Sequence, residues 1–117
     1  MTLHSVIETH AYLAAADDAG MGEDERAEVV NTLAAEPQAG TIMPGCGGAR
    51  KLRVRRPGAG KSGGYRVITY YGGDDVPVFL LTIFAKGEKD NLTEAERNGL
   101  AALTKTLRDS LAVRRRH

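Results

Sequence analysis

Tyr65-Arg66-Val67-Ile68-Thr69-Tyr70-Tyr71, then Gly72-Gly73-Asp74-Asp75, then Val76-Pro77-Val78-Phe79-Leu80-Leu81-Thr82-Ile83-Phe84 is the stretch that decides the fold class. Two runs rich in β-branched and aromatic residues flank a glycine- and aspartate-rich break, the pattern of a hairpin with a loop of about four residues. Alternation assigns Phe79, Leu81 and Ile83 to one face of the second strand, a set suited to a core. Leu80, Thr82, Phe84 and Lys86 fall on the other face. Upstream, Lys51, Arg53 and Arg55 alternate with Leu52 and Val54, so a third strand would carry three cations on one side. Arg50 shares the Leu52 face and is placed to brace the fold against a carboxylate. The glycine-rich turn at 57–64 joins this strand to the hairpin, and together they predict a curved, positive sheet surface.

Helices are expected on either side of that sheet in the sequence. After a short edge strand within Thr2 to Ile7, Thr9 or His10 opens an alanine-rich helix, Ala11 to Ala19, which Gly20 and Gly22 end. Glu23, Asp24 and Glu25 suit the positive end of a second helix, with Val29, Val30, Leu33 and Ala34 as its apolar stripe before Pro37. Ala39 to Gly48 is turn-rich, with room for a short strand around Thr41 to Met43. Thr93 and Glu96 have capping-box spacing, and Leu100, Leu103, Leu107 and Leu111 form a stripe assigned to the core. The fold class is therefore α+β, with two N-terminal helices, a curved antiparallel sheet and a C-terminal helix. One domain is expected over residues 1–112, followed by a basic flexible tail at 113–117.

Charge is unevenly shared in a chain whose net charge is only +1. Arg50, Lys51, Arg53, Arg55, Arg56, Lys61 and Arg66 occur without an acidic residue among them. Residues 1 to 36 hold Glu8, Asp17, Asp18, Glu23, Asp24, Glu25, Glu28 and Glu36 against Arg26 alone. Such a molecule can gather phosphate on one face while the rest repels it, which points to a polyanionic partner. At 42% hydrophobic and 26% charged residues, disorder is a poor description of the chain. No apolar run approaches the roughly 18 residues of a spanning helix, and no leader pattern opens the chain, so the expected location is cytoplasmic and away from membranes. Cys46 is the sole cysteine, which excludes an internal disulfide. With only His4, His10 and His117 beside it, no metal-ligand spacing is present, and neither metal nor cofactor is expected.

Several motifs fail on inspection. Gly58-Ala59-Gly60-Lys61-Ser62 lacks the glycine a phosphate-binding P-loop requires five residues before Gly60, where Arg55 stands. That loop also feeds a helix, whereas Tyr65 to Tyr71 reads as a strand. Asn91-Leu92-Thr93 reads as a turn and helix cap rather than a glycosylation acceptor. Cys46 lies among glycines with no base beside it and reads as a small filler; Tyr70 and Tyr71 read as packing residues.

What survives is a cationic surface with aromatic interleaving, and its residues resemble a known family. Gly48-Ala49-Arg50-Lys51-Leu52-Arg53-Val54, Gly60-Lys61-Ser62-Gly63-Gly64-Tyr65-Arg66-Val67-Ile68 and Leu80-Leu81-Thr82-Ile83-Phe84-Ala85-Lys86-Gly87-Glu88-Lys89 resemble the toxins of the HigB-like branch of the RelE superfamily, from bacterial type II toxin-antitoxin systems. The resemblance extends from Val6-Ile7-Glu8-Thr9 through Glu36-Pro37 to Asn91-Leu92-Thr93 and Glu96-Arg97. It implies a RelE-like fold and a ribosome-dependent mRNA endonuclease, or mRNA interferase, that inhibits translation. It also implies as partners the ribosome, mRNA and a cognate helix-turn-helix antitoxin, with operator DNA reached only through that antitoxin.

The residue chemistry is compatible with such a role. Metal-free RNA cleavage uses the ribose 2′-hydroxyl as nucleophile, so the protein must help deprotonate it, neutralise phosphorane charge and protonate the leaving 5′-oxygen. Arg66 is the first choice for the scissile phosphate, because its planar fork holds two oxygens and stays charged. Lys86 is the candidate for proton transfer or charge stabilisation, with Lys51 and Lys61 open alternatives for the proton. Lys61 could close over RNA from its glycine turn, and Lys51, Arg53, Arg55 and Lys89 could track the backbone. Tyr65 and Phe84 are candidate stacking rings, with Tyr70 as a further one. Relatives commonly carry tyrosine at the Phe84 position, so a phenolic hydroxyl is missing here. That departure favours a competing reading, a catalytically weakened RNA- or antitoxin-binding module of the same fold; a nucleotide-binding regulator built on Gly60-Lys61-Ser62 is the third.

Overall fold

The computed structural model describes residues 3–55, 64–85 and 92–115. Its elements are β1 (Val6–Glu8), α1 (His10–Asp18), α2 (Glu23–Ala35), β2 (Thr41–Ile42), β3 (Arg50–Val54), β4 (Tyr65–Tyr71), β5 (Val78–Ala85) and α3 (Glu94–Arg115). One sheet holds all five strands in the order β1-β5-β4-β3-β2. From β2 to β5 the neighbours run antiparallel, as expected, but β1 lies parallel to β5, with Val6 opposite Val78 and Glu8 opposite Leu80. The sheet is therefore mixed. The parallel edge arises because β1 comes before both first helices and reaches β5 across a long separation in sequence, free of the antiparallel constraint a hairpin imposes.

Local signals explain most element ends. The Thr9 hydroxyl accepts from the Tyr12 N–H at 3.2 Å and caps α1. Glu25 of α2 reaches back to the Gly22 N–H at 3.0 Å, and three acidic residues occupy the first turn, where the helix dipole favours them. At α3 the capping box forms in both directions: the Thr93 N–H donates to Glu96 Oε1 at 2.9 Å, and the Glu96 N–H to Thr93 Oγ1 at 3.1 Å. The hairpin loop is longer than expected, since β5 begins at Val78. Pro77 has no N–H to offer a ladder, and the Tyr71 hydroxyl instead bonds Asp74 across the turn. Helix α3 continues through Arg115, beyond the expected start of the basic tail at 113.

Both sheet faces are covered. On one, Tyr12, Ala16, Met21, Val29 and Leu33 of the first two helices and their junction pack on Tyr65, Val67, Val78, Leu80 and Ile83. On the other, Cys46, Ala49, Ile68, Tyr70 and Leu81 form a second core beneath Leu92, Leu100 and Leu107. Simple alternation misassigned β5. A register shift lies where Ile68 pairs with Thr82 but Thr69 pairs with Leu80, leaving Leu81 with no residue directly opposite. This bulge reverses the alternation, so Phe79 and Leu81 belong to the α3 side while Ile83 joins Leu80 beneath α1 and α2. Helix α3 corrects a second expectation. Leu103 is 41% exposed, and Thr104, fully buried, takes the place toward the sheet between Leu100 and Leu107.

Tyr12 carries a pH-dependent part of the stability. Its ring is fully buried and its hydroxyl donates to Met21 Sδ at 3.8 Å. Burial first, then the Glu8 carboxylate, push its pKa from 10.0 up to about 12, against the opposing pull of Arg26. Arg26 is engaged by Glu8 at 3.1 Å. A raised folded pKa means that the unfolded chain loses this proton first, so the contribution is fully present below about pH 10 and is lost as the pH rises toward 12. Urea unfolding at pH 9 and pH 11 should show a fall that is smaller by about 1 kcal/mol in Tyr12→Phe than in the wild type. Equal falls in both proteins would remove Tyr12 as the source.

Candidate nucleic-acid interface

The sheet register builds the site. Arg53 of β3 lies directly opposite Arg66 of β4, and Arg66 directly opposite Phe84 of β5. In the next row on the same face, Lys51 lies opposite Ile68, and Ile68 opposite Thr82. Two arginines facing each other across a strand pair repel, a local cost of a few tenths of a kcal/mol that an anion between them would cancel. Among the described residues neither arginine is in an ion pair.

This row ends in a pocket of about 400 Å³. Its cations are Lys51 and Arg66 from the sheet and Arg97 from the first turn of α3. Ile42, Met43 and Pro44 form one wall, Leu92 another, and Phe84, Ile68 and Cys46 contribute from the second core. No carboxylate lines it among the described residues. The wall stands where it does because the segment from Met43 to Ala49 folds back on itself: the Met43 N–H donates to the Ala49 carbonyl at 2.9 Å. Cys46 is fully buried beneath this turn and its Sγ donates to the Pro44 carbonyl at 3.6 Å. Burial pushes its thiol pKa up, more than nearby Arg97 draws it down, so the thiol stays protonated and fills space.

The structure thus brings Lys51, Arg66 and Phe84 into one pocket, with Arg53 exposed beside it. Arg55 follows the last residue of β3 and is exposed. Tyr65 is a correction: it is fully buried in the core beneath α1 and α2, on the sheet face opposite Arg66, and stacking on it would require opening that core. Tyr70 is likewise core, on the α3 side. Arg50, expected to meet a carboxylate, donates through Nη1 to the Gln38 carbonyl at 3.1 Å instead. Lys61, Lys86 and Lys89 lie outside the described residues. Arg97 was not singled out by the sequence reading. The available signal was an arginine in the first turn of a helix, where the dipole disfavours a cation.

These features define an α+β protein with a cation-lined pocket on one face of its sheet. A family model described as the RelE toxin of the RelE / RelB toxin-antitoxin system matches residues 25–113, and the chain belongs to that family. The match takes in β2 to β5 and most of α3, and with them every residue lining the pocket. Membership places the chain on the toxin side of a toxin-antitoxin pair and implies an antitoxin as partner. Among the described residues, no helix is long and apolar enough to cross a membrane.

Proposed function

We propose that this chain is a HigB-like bacterial toxin that cleaves mRNA on the ribosome and so halts translation in the cytoplasm until a helix-turn-helix antitoxin restrains it. The observation that carries this reading is the convergence of Arg53, Arg66, Lys51 and Phe84 on one sheet face beside a pocket without a lining carboxylate among the described residues. In the reaction, the 2′-oxygen attacks the adjacent phosphorus and the bond to the 5′-oxygen breaks, leaving a 2′,3′-cyclic phosphate and a free 5′-hydroxyl. Arg66 binds the phosphate in two-point fashion and stabilises the charge that grows on it. Arg53 and Lys51 hold the backbone to either side, and Phe84 stacks on an unpaired base. Lys86 and Lys61 are the proposed proton-transfer groups, with Lys89 and Arg55 as further backbone contacts.

The experiment is to map mRNA ends on translating ribosomes after brief induction, with Arg66→Ala alongside. New ends within A-site codons, absent in the variant and absent without ribosomes, are the expected result. An unchanged map at confirmed expression would favour the second reading, a binding module that has lost cleavage, for which Phe84 is the specific observation. Phe84→Tyr probes this directly. Restoring a phenolic donor in the pocket should raise the single-turnover cleavage rate by roughly 10²-fold, the low end of the range of general acid catalysis. No rise would show that the ring alone serves.

A further inference from the structure

The cations of the pocket explain how a phosphate is held, but not why the rest of its wall is apolar. Ile42, on the edge strand β2, is 55% exposed and lines the pocket together with its three cations. Met43 and Leu92 continue the surface, and the ring of Phe84 adjoins them. Arg97 enters from a different element and is fixed there. Its Nη1 donates to the Leu92 carbonyl at 2.9 Å, which ties the guanidinium to the same segment that forms the apolar wall. One of five N–H donors is used in this tether, and no carboxylate faces the remainder among the described residues of the pocket.

We propose that this pocket is a single-nucleotide subsite of the RNA, in which Arg97 holds the phosphate next to the scissile one while the Ile42, Met43 and Leu92 wall receives an unstacked base. The inference rests on the RNA-cleaving reading above and adds to it a positioning residue and a substrate contact. A nucleotide has the apolar face of its base and a phosphate on a fixed tether, and the pocket offers the matching pair of surfaces. Its volume suits one small unit rather than a helix or a duplex. Arg97 acts by orientation: it fixes the neighbouring nucleotide so that the 2′-oxygen lines up with the phosphorus at Arg66. Because Ile42, Met43 and Leu92 offer no side-chain hydrogen bonds, the subsite selects for an unpaired base more than for a particular one.

The test uses the full chain and two separate readouts. A trinucleotide with 2′-O-methyl riboses, which cannot be cut, is titrated into isotope-labelled protein, and cleavage of programmed ribosomes is followed in parallel. The wild type should show amide shifts at Ile42, Met43 and Leu92. Arg97→Ala should weaken the titration about tenfold and lower the slope of log affinity against log salt by about 0.7, the value for one lost phosphate contact on a single strand. A merely structural role for Arg97 would not move that slope. Should Arg97→Ala unfold, Arg97→Gln decides, since its amide can still donate to the Leu92 carbonyl without the charge. Normal ribosomal cleavage combined with no shift at the wall, or with an unchanged salt slope in the variant, overturns the subsite and leaves the nuclease reading standing; it would also leave the pocket to an acidic peptide. Absence of cleavage by the wild type on ribosomes removes the nuclease reading, and the subsite with it.

Discussion

Arg66→Ala is expected to lower the rate of A-site cleavage by roughly 10²–10³-fold while the protein remains folded, the range seen when one preorganised charge stabiliser is removed. Arg66 is half-buried on β4, directly opposite Arg53 on β3 and Phe84 on β5, so its side chain is presented from a paired strand inside the sheet and not from a loop. Preorganisation of this kind is what makes a charge effective in a transition state. The register also makes a second, opposite expectation. Removing Arg66 relieves its repulsion with Arg53, so stability should be unchanged or higher by a few tenths of a kcal/mol. Arg66→Lys keeps the charge but loses the two-point geometry and should fall between wild type and alanine. Single-turnover cleavage and urea unfolding on the same preparations provide both numbers. Full cleavage by a soluble Arg66→Ala protein would refute the assignment of Arg66 to the scissile phosphate.

Gly47→Ala is expected to cost about 2–4 kcal/mol of stability, more than most single changes in a chain of this size. Gly47 has a φ of 68°, in the left-handed region where a side chain costs about 1–2 kcal/mol. A Cβ built there would meet the Thr104 hydroxyl and would lie 3.0 Å from the Ala101 Cα, against the backbone of α3. The helix cannot recede freely, because Arg108 Nη1 donates to the Gly47 carbonyl at 2.9 Å and Leu100 and Leu107 are packed on the second core. Substitution at this point therefore pries α3 from the sheet, and with it the Arg97 side of the pocket. Gly99→Ala is the matched control. Nothing lies within 4 Å of a Cβ at Gly99, and its position on α3 is exposed, so alanine there should raise stability by about 0.5–1 kcal/mol. Denaturant midpoints of the two variants should move in opposite directions.

Residue type and spacing alone determined the α+β class, the two acid-capped and hydroxyl-capped helix starts at Gly22 to Glu25 and Thr93 to Glu96, the β3 to β5 strands, and the alternation that sets Lys51 and Arg53 on one face. These are short-range properties: a cap is set within four residues and a strand face within two, so a linear reading contains the whole cause. The parallel placement of β1, the burial of Tyr65 and the arrival of Arg97 beside Lys51 and Arg66 were decided by tertiary structure. Each depends on partners dozens of residues away. Tyr65 shows the limit most simply. Its neighbour Arg66 and its own aromatic ring suggested a shared surface, but consecutive strand residues point to opposite faces, and only the packing of α1 and α2 reveals which face is sealed. The bulge at Leu81 is the same lesson in reverse, since one unpaired residue interrupts the period and moves Ile83 to the other core. Periodicity assigns residues to faces within a strand, whereas the covering elements and the pairing register decide which face becomes core and which becomes site.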